Sequence, residues 1–467
     1  MNVQDTICAI ATAQGGAIGI IRVSGPDAVR ATERIFTPSG SQAPALSQRE
    51  PYTLTFGTIR DKETGETIDE VLVSLFRAPR SYTGEDATEI SCHGSSYILQ
   101  RVMQLLLHNG CRAAGPGEFT QRAFLHGKMD LSQAEAVADL IASTSAASHR
   151  LAMNQMRGGF SRELAGLRDQ LLHLTSLMEL ELDFSDHEEL EFADRTELKG
   201  LAAHISRVIG RLVQSFRVGN AIKNGIPVAI IGATNAGKST LLNALLNEDK
   251  AIVSDIHGTT RDVIEDTVNL SGTLFRFIDT AGIRQTDDCI EALGIERSFK
   301  ALEQADIVLL MYDLERGATA FRSFYEDIRP HLHDKQVILV MNKCDKATAP
   351  SALPDFIDTS SCSYHPLALS ARERLHLDDL QALLVRLAAL PSLSAGEVIV
   401  TNLRHYEALA RAQEAILRVE EGLTSQLPGD LVSQDLRECI FHLSDIVGEV
   451  TTDQVLGNIF QHFCIGK

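Results

Sequence analysis

IPVAIIGATNAGKSTLLNALL, residues 226–246, decides the fold. It opens on an apolar run of strand type, turns through a loop bounded by Gly232 and Gly237, and continues as STLLNALL with helical spacing. Strand, glycine-bearing loop and helix start, in that order, make a phosphate cradle. The glycines let backbone N–H groups wrap the phosphates, Lys238 brings a point charge to the β- and γ-phosphates, and Ser239 offers a hydroxyl to magnesium. The flanking residues Asn235, Ala236 and Thr240 belong to the same expected nucleotide site.

Three more pieces follow at the ends of strand-type runs. DTAG (Asp279, Thr280, Ala281, Gly282) places a carboxylate where it can reach the magnesium shell and a glycine N–H where it can meet the γ-phosphate. NKCD (Asn342, Lys343, Cys344, Asp345) falls at the carboxyl edge of a sheet, where ligands of such folds bind. Asp345 selects the base: its two oxygens can accept from N1–H and N2–H of guanine, whereas adenine offers no donor there. The expected ligand is therefore GTP. LALSAR supplies Ser370, Ala371 and Arg372 as the loop beneath the base.

One element of the Ras-type arrangement is missing. The position after DTAG, where those enzymes use a Gln to orient the attacking water, is Ile283. Another group must position water, and candidates lie in SDIHGTTRD, with Ser254, Asp255, Ile256, His257, Gly258, Thr259 and Thr260, and in IRQTDDCIEALG. Thr260 is a candidate magnesium and γ-phosphate ligand, and Glu291 a carboxylate that can act through one water.

Around this centre the chain of 467 residues is long enough for about three domains. Hydrophobic content of 44% and charged content of 22% sit near globular averages. No apolar run reaches the roughly 18 residues of a spanning helix. The start MNVQDTICAIATAQGG lacks the basic and apolar regions of a secretory signal, so a cytoplasmic protein without a membrane anchor is expected. Eight cysteines without a C-x-x-C pair exclude a zinc frame and a disulfide scaffold. A net charge of -19 argues against a free-standing nucleic-acid binder, so work on RNA would need a partner or a local basic patch.

Composition shifts divide the chain. Residues 1–120 read as short strands such as AIGIIRVSG, YTLTFGTIR and EVLVSLF, interrupted by one helix, SSYILQRVMQLLLHNG: an α+β domain. Residues 121–222 carry long amphipathic helices, among them LSQAEAVADLIAST and TELKGLAAHISRVIGRLVQSF. From 223 to 389 strands alternate with helices, the pattern of a doubly wound α/β sheet. Residues 390–467 are helical again, so the α/β domain is expected as an insertion in a split α-helical domain. The acidic stretch DFSDHEELEF reads as a solvated loop between helices rather than a metal site.

Taken with SDIHGTTRD and DTAGIR, GATNAGKS resembles the potassium-dependent, dimerising translation-factor-class GTPases. Four blocks across the chain, YTGEDATEISCHG, GPGEFTQRAFLHGKMDLSQAEAVADLI, the nucleotide motifs and FCIGK, resemble the MnmE (TrmE) family of tRNA-modification GTPases. That resemblance implies a folate-binding N-terminal domain, an inserted Ras-like domain, and a homodimer formed through the N-terminal domains, with the Ras-like domains meeting face to face during turnover. It implies that the flavoprotein MnmG, with which a heterotetramer is expected, is the partner in adding a carboxymethylaminomethyl group to C5 of the wobble uridine of certain tRNAs. The tRNA would be bound largely through that partner, and a tetrahydrofolate derivative would supply the one-carbon unit. By position, the family pattern assigns potassium to Asn235, Ser254, Ile256 and Thr259, magnesium to Ser239 and Thr260, water orientation to Glu291, and folate to Arg22, Glu89, Lys128 and Lys467. Departures are Ser254 where Thr is usual, His257 where a small residue is common and Ser95 where Gly is common.

The tail QHFCIGK puts Cys464 in the C-a-a-X frame of a prenylated protein, but Gly466 is not aliphatic and Lys467 is not an accepted last residue. Cys464 is then either a small buried hydrophobe or a candidate nucleophile. The tail is expected to return towards the N-terminal domain. A different class of function, a GTP-switched binding module for ribosome assembly, would carry a KH-like or basic RNA-binding domain, and the chain shows neither.

Overall fold

The computed structural model describes residues 5–13, 15–40, 43–183, 195–249, 266–278, 299–347, 354–357, 362–388, 397–450, 453–461, 463 and 466. The chain divides into two compact units, one of residues 1–141, 153–206 and 411–467, the other of residues 142–152 and 207–410.

The first unit begins with a sheet of β1 (Ile7–Ile10), β2 (Ile18–Ser24), β3 (Phe36–Pro38), β4 (Leu54–Arg60), β5 (Thr67–Phe76), β6 (Ala87–His93) and β7 (Arg112–Ala113). Their order is β3-β4-β5-β6-β2-β1-β7, antiparallel except for the β1–β7 pair. Alternation along the strands sends Ile21, Val23, Ile59, Val71, Val73, Leu75 and Ile90 to one face. There α1 (Ala28–Ile35) and α2 (Ser96–His108) cover them with Val29, Ile35, Leu99, Val102 and Leu106. Two helices therefore interrupt these strands, where the sequence pattern predicts one. AVRATERI makes only two turns, too short for its apolar period to stand out, and it is helical because Ala28, Val29, Ala31 and Ile35 reach the sheet together.

The opposite face of this sheet is covered at β1 and the end of β2, where Phe119 packs with Ile7 and Ala9 and Ser24 is buried, and is exposed at β4 and the start of β2. Ile18, Leu54 and Phe56 are 64%, 58% and 51% exposed, and Phe56 sits opposite Leu72 across the β4–β5 ladder. Exposed apolar side chains paired across a ladder in this way mark an interaction face.

Helices follow: α3 (Glu118–Leu125), α4 (Leu131–Ala142), α5 (Ala146–Met156), α6 (Gly159–Asp183) and α7 (Arg195–Asn224). Within the first unit α6 packs against the helix Gly429–Val447; Leu164, Leu167, Leu171, Leu174 and Met178 recur on α6 at three- and four-residue spacing and are buried, as are Leu436, Cys439, Leu443 and Ile446 on the other helix. The last helix, Asp453–Phe460, lies against α3 and buries Leu456 and Phe460 with Leu131 and Ala134. The stretch DFSDHEELEF runs, after Asp183, outside the described residues.

The second unit is built on β8 (Ile226–Gly232), β9 (Asp266–Leu270), β10 (Thr273–Phe277), β11 (Ile307–Asp313), β12 (Gln336–Asn342) and β13 (Ser363–Leu369). The order is β13-β12-β11-β8-β10-β9, parallel except for the β9–β10 pair. Both faces are covered. Ile230, Leu309 and Val340 pack on α8 (Lys238–Asp249) and on Leu380 and Leu384 of the helix Leu377–Ala388. On the other side Ile231, Leu310 and Leu339 pack on Phe321 and Tyr325 of the helix Gly317–Ile328. This is why β11 and β12 read as unbroken apolar runs rather than as alternation. The chain enters and leaves the unit at neighbouring points: Phe216 stacks on Tyr406 with ring centroids 4.5 Å apart, and the Val400 N–H donates to Ser215 Oγ at 3.0 Å.

Candidate functional site

The second unit's sheet reverses its winding at β8, which has β11 on one side and β10 on the other. The crevice at the carboxyl end of such a strand is where open α/β sheets bind ligands, and residues 233–237 occupy it between β8 and α8. The backbone of Gly237 is left-handed (φ 97°), and a Cβ there would stand 2.3 Å from Asn342 Nδ2, so no other residue fits without moving the loop. Asn235 is also left-handed, at φ 64°. Short polar side chains tolerate that conformation best.

Lys238 is half-buried at the start of α8, and its ammonium donates to the carbonyls of Gly232 at 2.6 Å and Ala233 at 3.1 Å. Burial pushes its pKa down. An anion seated in the loop would favour the charged ammonium that burial disfavours. Ser239 is half-buried beside it, and its hydroxyl makes no hydrogen bond among the described residues. Its oxygen lone pairs are therefore available to a hard cation such as magnesium, which takes oxygen ligands.

Asn342 joins three segments. Its Nδ2 donates to the Ala236 carbonyl at 2.8 Å, and its Oδ1 accepts from the N–H groups of Lys343 at 2.9 Å and Ala371 at 3.0 Å. The loop after β8, the NKCD stretch and the SAR loop are thus held by one buried amide. Asp345 is exposed and its carboxylate makes no hydrogen bond or ion pair among the described residues, so both oxygens are available to a base. Ser370 closes a short loop through mutual backbone hydrogen bonds with Leu375 at 3.2 and 3.1 Å. Burial, with Asp345 beside it, raises the Cys344 thiol pKa. Ser254 to Thr260, Asp279 to Gly282 and Glu291 lie outside the described residues.

In the first unit the side chains of β2 and β6 frame a small cleft of about 80 Å³ lined by Arg22, Ser24, Tyr82, Thr83, Glu89 and Phe119, among others. Arg22 and Glu89 are paired across the ladder at 2.7 Å, and the guanidinium lies over the Tyr82 ring, 5.8 Å from its centre. The wall behind them is a buried polar net. Ser24 Oγ donates to Glu85 Oε2 at 2.7 Å, and Arg122 binds Glu85, Asp5 and Glu118 at 3.0, 2.5 and 3.0 Å. Lys128 does not line the cleft; its ammonium is exposed and donates to the Pro79 carbonyl at 3.0 Å.

The tail reaches this cleft: Arg22 Nη1 donates to the Gly466 carbonyl at 3.4 Å. Gly466 is buried and left-handed (φ 94°), and a Cβ on it would stand 2.5 Å from the Ile10 carbonyl oxygen. Cys464 and Lys467 lie outside the described residues. Tyr82 and Ser24 were not singled out in the sequence, where nothing distinguishes a pocket wall from an ordinary strand or loop residue.

A glycine-bounded cradle at the switch point of a doubly wound sheet, with an Asn brace joining it to the NKCD and SAR stretches, defines a P-loop GTPase. Family models match the chain over residues 6–128, as the GTP-binding protein TrmE N-terminus, and over residues 131–464, as the MnmE helical domain. The chain belongs to the MnmE (TrmE) family of tRNA modification GTPases and is a GTP hydrolase. It is 68% identical over 463 residues to the tRNA modification GTPase MnmE of Parabacteroides distasonis, covering 99% of this chain and 100% of the relative. It is 64% identical over 470 residues to the protein of the same name from Bacteroides thetaiotaomicron, again covering 99% and 100%. A third such relative, from Christiangramia forsetii, is 49% identical over 479 residues and is covered in full, as is this chain. Among the described residues no helix is long and apolar enough to cross a membrane.

Proposed function

We propose that this chain hydrolyses GTP to drive a conformational cycle in tRNA modification, acting with the flavoprotein MnmG to add a carboxymethylaminomethyl group to C5 of the wobble uridine of certain tRNAs. The observation that carries this reading is the full-length likeness to relatives named tRNA modification GTPase. The proposed division is an N-terminal folate-binding domain over 1–120, helical segments over 121–222 and 390–467, and a GTPase domain over 223–389, in a cytoplasmic homodimer. The exposed apolar side chains of β4, β5 and the start of β2 offer a surface that such a dimer would bury.

In the GTPase domain, residues 235–240, 254–260, 279–282, 342–345 and 370–372 would surround the nucleotide, with Ser239 and Thr260 holding magnesium. The magnesium would supply positive charge against the phosphates. Potassium at Asn235, Ser254, Ile256 and Thr259 would stand where other GTPases place an arginine finger, and Glu291 would orient the attacking water. The left-handed, exposed Asn235 supports this reading by presenting its side chain at the mouth of the loop. Hydrolysis would release the loops that the γ-phosphate and cations hold.

The cleft at Arg22, Glu89 and Tyr82 would take the tetrahydrofolate derivative, with Lys128 and Lys467 as the further ligands the family pattern assigns and Cys464 as candidate nucleophile. Gly466→Ala should dislodge that tail, because left-handed backbone and a carbonyl clash together cost on the order of 2 kcal/mol or more. The expected result is at least a tenfold weaker retention of tetrahydrofolate with GTP hydrolysis nearly unchanged, read by equilibrium dialysis and phosphate release.

Mass spectrometry of tRNA nucleosides tests the whole reading. Cells lacking the chain should lose the wobble-uridine modification, the parent gene should restore it, and Glu291→Ala should not. The purified Glu291→Ala protein should bind GTP but turn it over at least about 100-fold more slowly. Unchanged nucleosides, or equal turnover of the parent in sodium and potassium, would count against it.

A further inference from the structure

Lys343 carries a side chain whose charge is already spoken for. Its ammonium donates to Asp313 Oδ2 at 2.7 Å and to Glu315 Oε2 at 2.8 Å. Asp313 ends β11 and is only 5% exposed; its other oxygen accepts from the Glu315 backbone N–H at 3.0 Å. Glu315 is 40% exposed and also binds Lys346 at 3.2 Å. An ammonium has three protons to give, so two of those on Lys343 are committed away from any ligand. The backbone of Lys343 is left-handed, φ 69°, with its N–H fixed on Asn342 Oδ1. Both ends of the residue are therefore tied.

The sheet order gives this tether a position. β11 lies between β12, which ends at Asn342 just before Asp345, and β8, which ends at the phosphate loop. Asp313 is in register with Asn342 at the carboxyl edge. A nucleotide with its base at Asp345 and its phosphates on the loop after β8 has to cross the end of β11. The Lys343 side chain, running from the end of β12 to Asp313, lies along that crossing.

The geometry points to Asp313, with Glu315 as its exposed helper, as a positioning residue for nucleotide binding: it stretches the Lys343 stem into a floor under the nucleoside. Nothing in the sequence motifs marks Asp313 for this. Removing the buried carboxylate frees the ammonium end, so the stem must be ordered anew each time a nucleotide binds. The loss falls on affinity, not on the chemical step, because Asp313 touches neither the phosphates nor the water. The inference rests on the reading of NKCD as the base site, and Asp345→Asn separates the two.

In the purified full chain, Asp313→Asn should raise the Kd for GDP and the KM for GTP about tenfold, with kcat at saturating GTP held within about twofold. Lys343→Met should lose a similar factor in GDP affinity, and adding Asp313→Asn to it should cost little further, since the effect of Asp313 on the nucleotide runs through Lys343. Losses that multiply would overturn the assignment. If Asp345→Asn leaves GDP binding intact, the base-site reading itself fails; if it weakens GDP and Asp313→Asn does not, only the present inference fails. Should Asp313→Asn unfold the domain, the exposed Glu315→Gln decides: about twofold to threefold weaker GDP binding at low salt, shrinking at high salt, is expected. No change at either salt would sink the idea.

Discussion

Asp345→Asn should lower kcat/KM for GTP by about 10³- to 10⁴-fold and move the preference to xanthosine triphosphate. Guanine presents N1–H and N2–H to the carboxylate. An amide in its place can accept only one of them and sets its own NH₂ against the other. Xanthine carries a carbonyl at C2, which that NH₂ can meet, so the pairing is restored with the other base. The site makes this test clean, because Asp345 is exposed and makes no hydrogen bond or ion pair among the described residues. Folding should not feel the change, and surface substitutions of this sort stay within about 0.5 kcal/mol. Steady-state hydrolysis of the two nucleotides checks it; equal loss for both would remove Asp345 from the base site.

Lys238→Met should reduce GTP hydrolysis by about 10²- to 10³-fold, the scale of losing one charge-stabilising donor in a preorganised site. It should do so without lowering the thermal midpoint of the nucleotide-free protein by more than about 2 °C. The second half follows from burial, which already disfavours the ammonium and depresses its pKa. Methionine keeps the stem and removes a charge that is costly until phosphate arrives. Among the described residues only the peptide carbonyls of Gly232 and Ala233 lose a partner, at 2.6 and 3.1 Å. Both variants should part in the presence of ligand: GTP should raise the midpoint of the parent and of neither variant to the same extent. Calorimetry with and without GTP reads this directly.

Much of the nucleotide site is legible from local spacing because each piece is a strand end followed by a turn. GATNAGKS, NKCD and LALSAR state their chemistry in consecutive residues, and the sheet only has to bring its strand ends to one edge. What could not be read was the bracing between pieces. Asn342 holds Ala236 and Ala371 through one amide, partners more than a hundred and nearly thirty residues away in the chain. Asp313 is one more apolar-run terminus until β11 settles beside β12 and puts its carboxylate against Lys343.

The N-terminal unit was legible in kind but not in detail. Alternation in AIGIIRVSG and EVLVSLF predicts half-buried strands, and β2 and β5 are such strands. The short α1 escaped, because two turns carry too little period and gain their stability from the sheet beneath them. The cleft at Arg22 escaped as well, since its walls come from β2, the turn at Tyr82, β6 and α3 together.

By itself the sequence determined the class of chemistry, the guanine preference and the alternation of elements, because these depend on residues close along the chain. Tertiary structure alone decided which buried groups hold those residues still. It set Asp313 against Lys343, laid the tail's Gly466 beside Arg22 and left the Asp345 carboxylate without a hydrogen bond among the described residues. Such pairings depend on strand order and close packing between distant segments, and no local spacing encodes them.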